Sequence, residues 1–577
     1  MDVLRIANCS GFYGDRLSAL SEVVNDGPVD VVTGDYLAEL TMLILWRSRL
    51  KDPAKGYATT FLRQLEGVLG TVADRGTRVV VNAGGLAPAA CADAVRALAE
   101  RLGVPLAVSH VEGDDVLERL AELDLQAMDA VTLDGRQALT ANTYLGAWGI
   151  ATALDAGAQV VVTGRVTDAS LVVGPAASHF GWARDDWDRL AGAVVIGHVL
   201  ECGTQATGGN YSFVTEEVAQ PLRMGFPVAE VAADGSAVVT KHPGTGGAVT
   251  VGTVTAQLLY EISSPLYAGP DVVTDFSTIA VTDDGPDRVR LSGVRGQPPT
   301  GALKVCVNAL GGFRNRMDLV LTGLDVEAKA ELAMAGLRDA LPVAPAVLEH
   351  RLVRLDREDA PTNEQAVALL RVSAKDPSAD PVGRAFSSAA VELALGSYPG
   401  FTLTAPPGDA QPYGVYVPLL VPASHAPLVE HVVVHHDGRR ELVAHTPGRT
   451  TTTTSSPAPA PVAAGGPTRR VPLGTVVGAR SGDKGGNANI GLWARTDAAA
   501  DWLLGWLDEA QLRVLLPEAD GLAVQVFALP NLRAVNVVVH GLLGEGVASS
   551  TRFDPQAKGL GEYLRSRHVD VPVHLLP

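Results

Sequence analysis

The chain has 577 residues, 47% hydrophobic and 19% charged, which excludes a disordered or fibrous protein and supplies core for about three or four domains. A formal net charge of −18 excludes a protein that grips a nucleic-acid backbone, but not a local Arg/Lys pocket for a small anion. Four cysteines without metal-motif spacing exclude a disulfide scaffold, and no apolar run reaches the roughly 20 residues of a membrane span. With no basic leader ahead of the first apolar run, the expected location is the cytoplasm.

Four short apolar runs come first, at residues 5–8, 29–33, 78–81 and 159–162, and each stops in a Gly-rich polar turn. Runs of this length and β-branched content predict buried strands, and the helix-like patterns that follow them predict βα units. The expected fold is therefore α/β, with a doubly wound, mostly parallel sheet in a large N-terminal part. Ligands of such sheets bind beyond the carboxyl ends of the strands, so the four turns are expected to share one crevice. Asn142 is predicted to cap a helix that runs to about residue 156, where Gly157 ends it, and Pro88 suits the first turn of another.

From about residue 216 to 330 the pattern shifts to shorter strands with Pro/Gly turns. Residues 327–340 read as a helix, 346–356 as a strand, 364–372 as either, and 389–396 as a helix. Residues 450–468 are Thr, Ser, Pro, Ala and Gly almost throughout, which reads as a linker. The expected domains are 1–449, divided into a βα-repeating block (1–215) and a second lobe (216–449), and 469–577. The last reads as strand 470–479, a Gly-rich loop, strand 490–494, helix 498–516, strands 523–529 and 534–542, helix 555–565 and strand 571–575. Two helices among those strands predict a ferredoxin-like α+β domain.

The candidate site residues lie mostly in the turns. Arg165 offers a forked donor for a carboxylate or phosphate; Asp168, three residues on, either faces a ligand or only caps a helix. Ser10, Gly11 and Asp15 belong to a turn that either cradles an anion or is purely structural; Cys9 within it reads as a core residue rather than a nucleophile. Asp35 ends the second run. Asn82, Gly84 and Gly85 allow close backbone approach to a ligand or, equally, tight packing. His198 and Glu201 suit acid–base work or simple packing. With Cys202 they are metal-ligand types, but their spacing matches no zinc signature, so no metal is expected. Gly208, Gly209 and Asn210 follow. Lys241 sits in a Gly-rich turn that either holds an anion or closes a hairpin. The string 480–489 contains Arg480, Asp483, Lys484, Asn487 and Asn489 around three glycines, an arrangement suited to an anion nest.

These strings together are specific. The chain resembles the acyclic terpene utilization protein A family at residues 34–39, 82–85, 163–171, 197–210, 241–249, 397–401 and 480–489, a likeness spread over nearly the whole sequence. The resemblance implies a ferredoxin-like C-terminal domain and a place in the catabolism of acyclic terpenes through branched acyl-CoA thioesters; it carries no agreed catalytic residues. The opening turn at residues 8–12 is looser than the Gly-Ser-Gly type expected of the family.

The expected function is a lyase on an acyl-CoA or related carboxylic acid, either a hydratase/dehydratase or a C–C lyase. Asp168, Arg165, Asp35, Glu201, His198 and Asp483 are its catalytic candidates, and Ser10, Gly11, Asp15, Asn82, Gly84, Gly85, Gly208, Gly209, Asn210, Lys241, Arg480, Lys484, Asn487 and Asn489 its substrate-binding ones. Glycine amides at 84–85 and 485–486 are expected to hold an enolate oxygen, and the C-terminal loop to act as a lid, in cis or from a neighbouring subunit. The substrate is expected to be a CoA thioester, with no resident cofactor, no nucleic-acid partner and a homo-oligomeric assembly. The alternative is a non-catalytic acyl-CoA-binding or scaffold subunit of a carboxylase-type complex. A nucleotide-dependent enzyme is disfavoured, because neither a Walker string nor a full dinucleotide fingerprint occurs.

Overall fold

Short valine-rich segments, too short for helices, form the centre of the largest sheet in the computed structural model, which describes residues 3–449 and 466–577. Strands β1 (Val3–Asn8), β2 (Val31–Gly34), β3 (Arg78–Val81), β4 (Val108–Glu112) and β5 (Val160–Thr163) are parallel. The register sets Ala7 beside Val32, Val32 beside Val79 and Val80 beside Val161. β2 and β5 are buried along their whole length, as strands covered on both faces are.

The sheet has eleven strands and is mixed, which corrects the expectation of a mostly parallel, doubly wound one. β6 (Pro227–Ala232), β7 (Ala237–Lys241), β8 (Ala280–Asp283) and β9 (Val289–Ser292) extend one side, and β10 (Val432–Val434) and β11 (Arg440–Leu442) the other, giving the order β8-β9-β7-β6-β1-β2-β3-β5-β4-β10-β11. All these flanking pairings are antiparallel. The physical reason is connection length. β6 and β7 are joined by four residues containing Asp234-Gly235, with Gly235 at φ +84, and so short a link returns the chain only as a hairpin.

Helix starts follow local chemistry in some places and not in others. Pro88 opens the helix Pro88–Leu102, and Gly103 closes it at φ +68. Asn142 does not cap a helix. It lies in the strand Ala138–Thr143, where its side chain donates to Asp114 (2.9 Å), and the helix that follows is Trp148–Asp155. Asp168 does not cap either: the helix Ser170–Phe180 begins after Ala169 and has no side-chain cap.

Two compact units divide the described chain. The larger comprises residues 3–132, 138–308, 416–449 and 466–577 and contains the eleven-stranded sheet; the smaller comprises 133–137 and 309–415. In the smaller unit the strands Val347–Arg354 and Val367–Asp376 pair antiparallel, and the second of these pairs with residues 313–322. The helices Val326–Ala340 and Arg384–Glu392 bury Met334, Leu337 and Phe386 with Leu319 and Leu370 of those strands.

The C-terminal residues form a four-stranded antiparallel sheet, β12 (Val477–Lys484), β13 (Asn487–Ala494), β14 (Val524–Leu529) and β15 (Ala534–Val539), in the order β12-β13-β15-β14. The helices Asp497–Trp506, Glu509–Leu515 and Leu560–Ser566 join its core through Leu503, Leu512 and Leu564. The single helix expected at 498–516 is two, because Asp508 starts a new one by accepting from the Gln511 amide (2.7 Å). The expected Gly-rich loop is a hairpin: Lys484 pairs with Asn487 across Gly485-Gly486, and Gly485 has φ +61. Of the expected linker, residues 450–465 lie outside the described residues. Among the described residues no helix is long and apolar enough to cross a membrane.

Candidate functional site

The tips of β1, β2 and β5 open into a cavity of about 1160 Å³. At the tip of β2, Asp35 Oδ1 accepts from the Leu37 amide (3.0 Å) and from Asn82 Nδ2 (2.6 Å), and Asn82 is fixed in turn by the Tyr36 amide (2.7 Å). Burial, followed by the nearby Asp168 charge, raises the Asp35 carboxyl well above the usual carboxylate range. At the tip of β5, Arg165 is buried, with Nη1 donating to the Leu37 carbonyl (2.7 Å) and Nη2 to Tyr144 Oη (3.0 Å). Its Nη1 lies 3.3 Å from Asp168 Oδ1. Burial lifts Asp168 to about 6, against the pull of Arg165.

The helix Glu39–Lys51 begins beside these groups, and its first residue faces Tyr144 Oη (3.3 Å) and Lys304 Nζ (3.8 Å). Burial raises the proton affinity of Glu39, but Lys304 and Arg165 outweigh it and bring the carboxyl to about 2. Lys304 also lies over the Tyr144 ring, 4.7 Å from its centroid; burial, and then Lys484, weaken its hold on its proton.

The C-terminal hairpin supplies the other wall. Asp483 and Lys484 line the cavity with Asn487 and Lys558. Lys558 Nζ contacts Glu261 Oε1 (3.0 Å), Asp483 Oδ1 (3.6 Å) and Tyr260 Oη. Burial, then Glu261, raises Asp483 to about 7. Lys484 has no ion-pair partner within 4 Å among the described residues; its ammonium lies 5.9 Å from the Tyr267 ring centroid. Burial disfavours the Lys484 charge, yet Tyr267, Glu261 and Glu201 hold its proton more tightly than usual overall. Glu261 has φ +56, a strained left-handed conformation for a residue with a side chain, and Asn489 Oδ1 holds its amide (2.7 Å). Asn489 also donates to the Ile262 carbonyl (3.0 Å), so it ties the C-terminal sheet to this cavity segment.

The model of the acyclic terpene utilisation family protein AtuA matches residues 4–432, and that of the AtuA ferredoxin-like domain matches residues 471–570. The chain belongs to the AtuA family. The family is implicated in acyclic terpene utilisation, and the C-terminal domain of this member is ferredoxin-like. No curated protein and no solved structure matches the chain.

In this AtuA-family chain, Gly11, Asp15, Asp35, Arg165, Asp168, Glu201, Gly209, Asn210, Asp483, Lys484 and Asn487 all line the one cavity. Other residues singled out by sequence do not line it. His198 packs against both the Tyr267 and Phe276 rings, with Nδ1 3.2 Å from Glu201 Oε1. Asn82 orients Asp35, and Ser10 Oγ donates to the Phe12 carbonyl (3.0 Å). The Gly84 and Gly85 amides donate to the Thr163 and Asn82 carbonyls, and a Cβ on Gly84 would lie 2.5 Å from Thr163 O. Those amides are therefore engaged within the turn rather than turned to an enolate oxygen. Gly208 supplies a left-handed turn at φ +112. Lys241 is held by the Thr245 carbonyl (2.9 Å) and Asp287 (3.1 Å), and Arg480 lies over the Tyr260 ring and donates to Gln205.

Sequence reasoning missed Tyr144, Tyr260, Glu261, Lys304, Tyr416 and Lys558, which all line the cavity; Glu39 lay within a family string but was given no role. The available signal was Lys304 itself, a lone charge inside the apolar run 302–307. Cys202 also lines the cavity, but burial, followed by the Glu201 charge, raises its thiol well above the ordinary value, against a thiolate nucleophile. Among the described residues no group of His, Cys, Asp and Glu is placed to hold a metal ion.

Proposed function

We propose that this protein is a lyase acting on an acyl-CoA or a related carboxylic acid in acyclic terpene or branched-acid catabolism. The observation that carries the reading is a pair of neighbouring carboxylates of unequal proton affinity, Asp35 and Asp168, in the same cavity as Lys484, an ammonium with no ion-pair partner among the described residues. Two titratable groups pushed apart in this way take opposite roles, the weaker acid donating a proton and the ionised one accepting it. Asp35, raised by burial and by the Asp168 charge, is the group suited to donate a proton, and Asp168, beside Arg165, the one suited to accept it.

The reaction is written as dehydration of a 3-hydroxyacyl thioester. Asp168 takes the α-proton, and the C–H electron pair moves onto the thioester oxygen, which Lys484 stabilises as an enolate. The enolate collapses to the double bond, the β C–O bond breaks, and the departing hydroxide takes the Asp35 proton to leave as water. Transfer of a proton from Asp168 back to Asp35 restores the start. Hydration is the same path reversed. Arg165 holds Asp168 in place throughout.

The experiment is to incubate the protein with straight and branched enoyl- and 3-hydroxyacyl-CoA thioesters and to follow product mass. A change of one water supports hydro-lyase chemistry, and loss of an acetyl unit supports the carbon–carbon lyase form. Asp168→Asn should abolish either while thermal-shift binding persists. Binding of thioesters with no mass change in any of them would refute the lyase and favour the acyl-CoA-binding scaffold.

A further inference from the structure

Lys304 is the lone charge in the apolar run 302–307, at the start of the long strand Leu303–Thr322. Residues two apart on a strand share a face, and Cys306 packs with Tyr144 and Tyr416, the two rings that Lys304 also meets. The Lys304 side chain is 30% exposed and lines the cavity, so a ligand there can reach it. Among the described residues its nearest carboxylate oxygen is Glu39 Oε1 at 3.8 Å, beyond a hydrogen bond. The Tyr144 and Tyr416 ring centroids lie 4.7 and 5.7 Å from its nitrogen. An ammonium carries three donors, and a lysine kept only as a counterion would spend them on oxygen atoms.

Lys484 gives the contrast. The Tyr416 ring joins the two lysines: Lys304 faces it, and a Cβ on Gly485, the residue after Lys484, would lie 2.9 Å from Tyr416 Cε1. Burial opposes the Lys484 charge, but Tyr267, Glu261 and Glu201 outweigh it and keep the ammonium. At Lys304 burial, helped by the Lys484 and Arg165 charges, outweighs Glu39 and loosens the proton. A lysine in a buried wall beside other cations supplies more free amine, its nucleophilic form. Two like groups biased in opposite directions divide the work of one cavity: one binds as a cation, the other reacts as an amine.

We propose that Lys304 Nζ forms an imine with the carbonyl carbon of a keto acid whose carboxylate Lys484 holds. This activity goes beyond the lyase reading above and needs no thioester. The free amine adds its lone pair to the carbonyl carbon. The C–N bond forms, the C=O π pair moves to oxygen, and a proton passes from nitrogen to oxygen. The nitrogen pair then closes the C=N bond as the C–O bond breaks, and the departing hydroxide takes a proton from solvent to leave as water. That proton replaces the one the ammonium released, so one ammonium and one carbonyl give one iminium and one water. The ionised Glu39 carboxylate faces the positive nitrogen. The iminium draws electrons from the neighbouring carbon, which makes a bond at that carbon the one that breaks.

The test is reductive trapping on the full-length wild-type protein with levulinate, a keto acid, and sodium cyanoborohydride at about pH 7. Cyanoborohydride reduces an iminium to a stable secondary amine, so every lysine that formed an imine keeps a label that peptide mass spectrometry locates. Lys55, with its side chain 55% exposed, measures ordinary surface reactivity. Lys304 should be labelled about tenfold or more faster than Lys55, because a looser proton leaves more free amine. Acetone, which has no carboxylate, should favour Lys304 over Lys55 less strongly than levulinate does, and Lys484→Met should erase that difference. Labelling of Lys304 no faster than Lys55 would overturn the imine, with no variant and no question of folding involved. Equal preference for Lys304 with acetone and levulinate would overturn the keto-acid assignment. Trapping at Lys304 in a protein that converts no thioester would sink the lyase reading alone, and thioester conversion without trapping would sink only the imine.

Discussion

Arg165 at the sheet tip and Lys484 at the hairpin bring the same charge into the same cavity, but their surroundings differ. Arg165 is matched by the Leu37 carbonyl, Tyr144 and Asp168, and its backbone amide is held by Asp114 (2.7 Å). Lys484 has no ion-pair partner within 4 Å among the described residues; an aromatic face lies beside it, and the Glu261, Glu201 and Glu39 charges act on it from farther off. The comparison separates a cation that organises a site from one available to a ligand. The former is tied to its neighbours by geometry, so its removal is felt by the fold. The latter is held in readiness, so its removal is felt by the chemistry.

Arg165→Met should break this comparison most severely. It leaves Asp168 and Glu39 in a buried setting without their guanidinium, a change that typically costs about 3–5 kcal/mol. Denaturant unfolding should show a loss of that size, and a loss near zero would mean that Arg165 is not the organising charge. Lys484→Met sharpens the contrast from the other side. Turnover should fall about 100-fold, while the loss of stability stays smaller than for Arg165→Met, because no hydrogen-bonded ion pair is broken. A large fall in stability with little change in rate would reverse the two assignments.

Asn489→Ala tests the join between the walls. Its side chain satisfies the Glu261 amide and shares the Ile262 carbonyl with Asn536, so truncation leaves the Glu261 amide unpaired at about 1–3 kcal/mol. Glu261 should then relax from its left-handed conformation and activity should fall with stability. Full activity in this variant would mean that the strained turn does not position the site.

How much of this could be read from the residues alone follows from their distance along the chain. Asp35, Arg165 and Asp168 each sit within a few residues of a short β-branched strand, so local pattern was enough to place them at strand tips, and all three line the cavity. Lys304 and Tyr416 arrive from strands far along the chain and meet the tips only through long-range pairing, which local periodicity does not encode. The string 480–489 brings Asp483, Lys484 and Asn487 to the cavity, but its hairpin was not legible, because three glycines mask the alternation of β12 and β13. The mixed character of the large sheet escaped for a related reason: a buried valine run looks the same in either strand direction, and only the short Gly-containing turns reveal the antiparallel flanks.

The last expected effect is set by pH and concerns what the sheet-tip wall costs the fold. The Asp168 carboxyl is raised from an ordinary 3.8 to about 6, chiefly by burial. The protonated form therefore favours the folded state, and this contribution is present below about pH 4, is lost as pH rises to about 6, and stays lost above it. The slope from one such group is at most about 1.4 kcal/mol per pH unit. Asp168→Asn imitates the protonated form at every pH. Wild type and variant should thus be equally stable near pH 4, and the variant should gain an advantage between about pH 4 and 6 that levels off beyond. Chemical denaturation of both proteins across that range checks it. A difference that does not vary with pH would mean that Arg165 compensates the buried charge fully. A growing advantage would show that the ionised carboxylate is kept in place at the expense of the fold, the signature of a group retained for its chemistry.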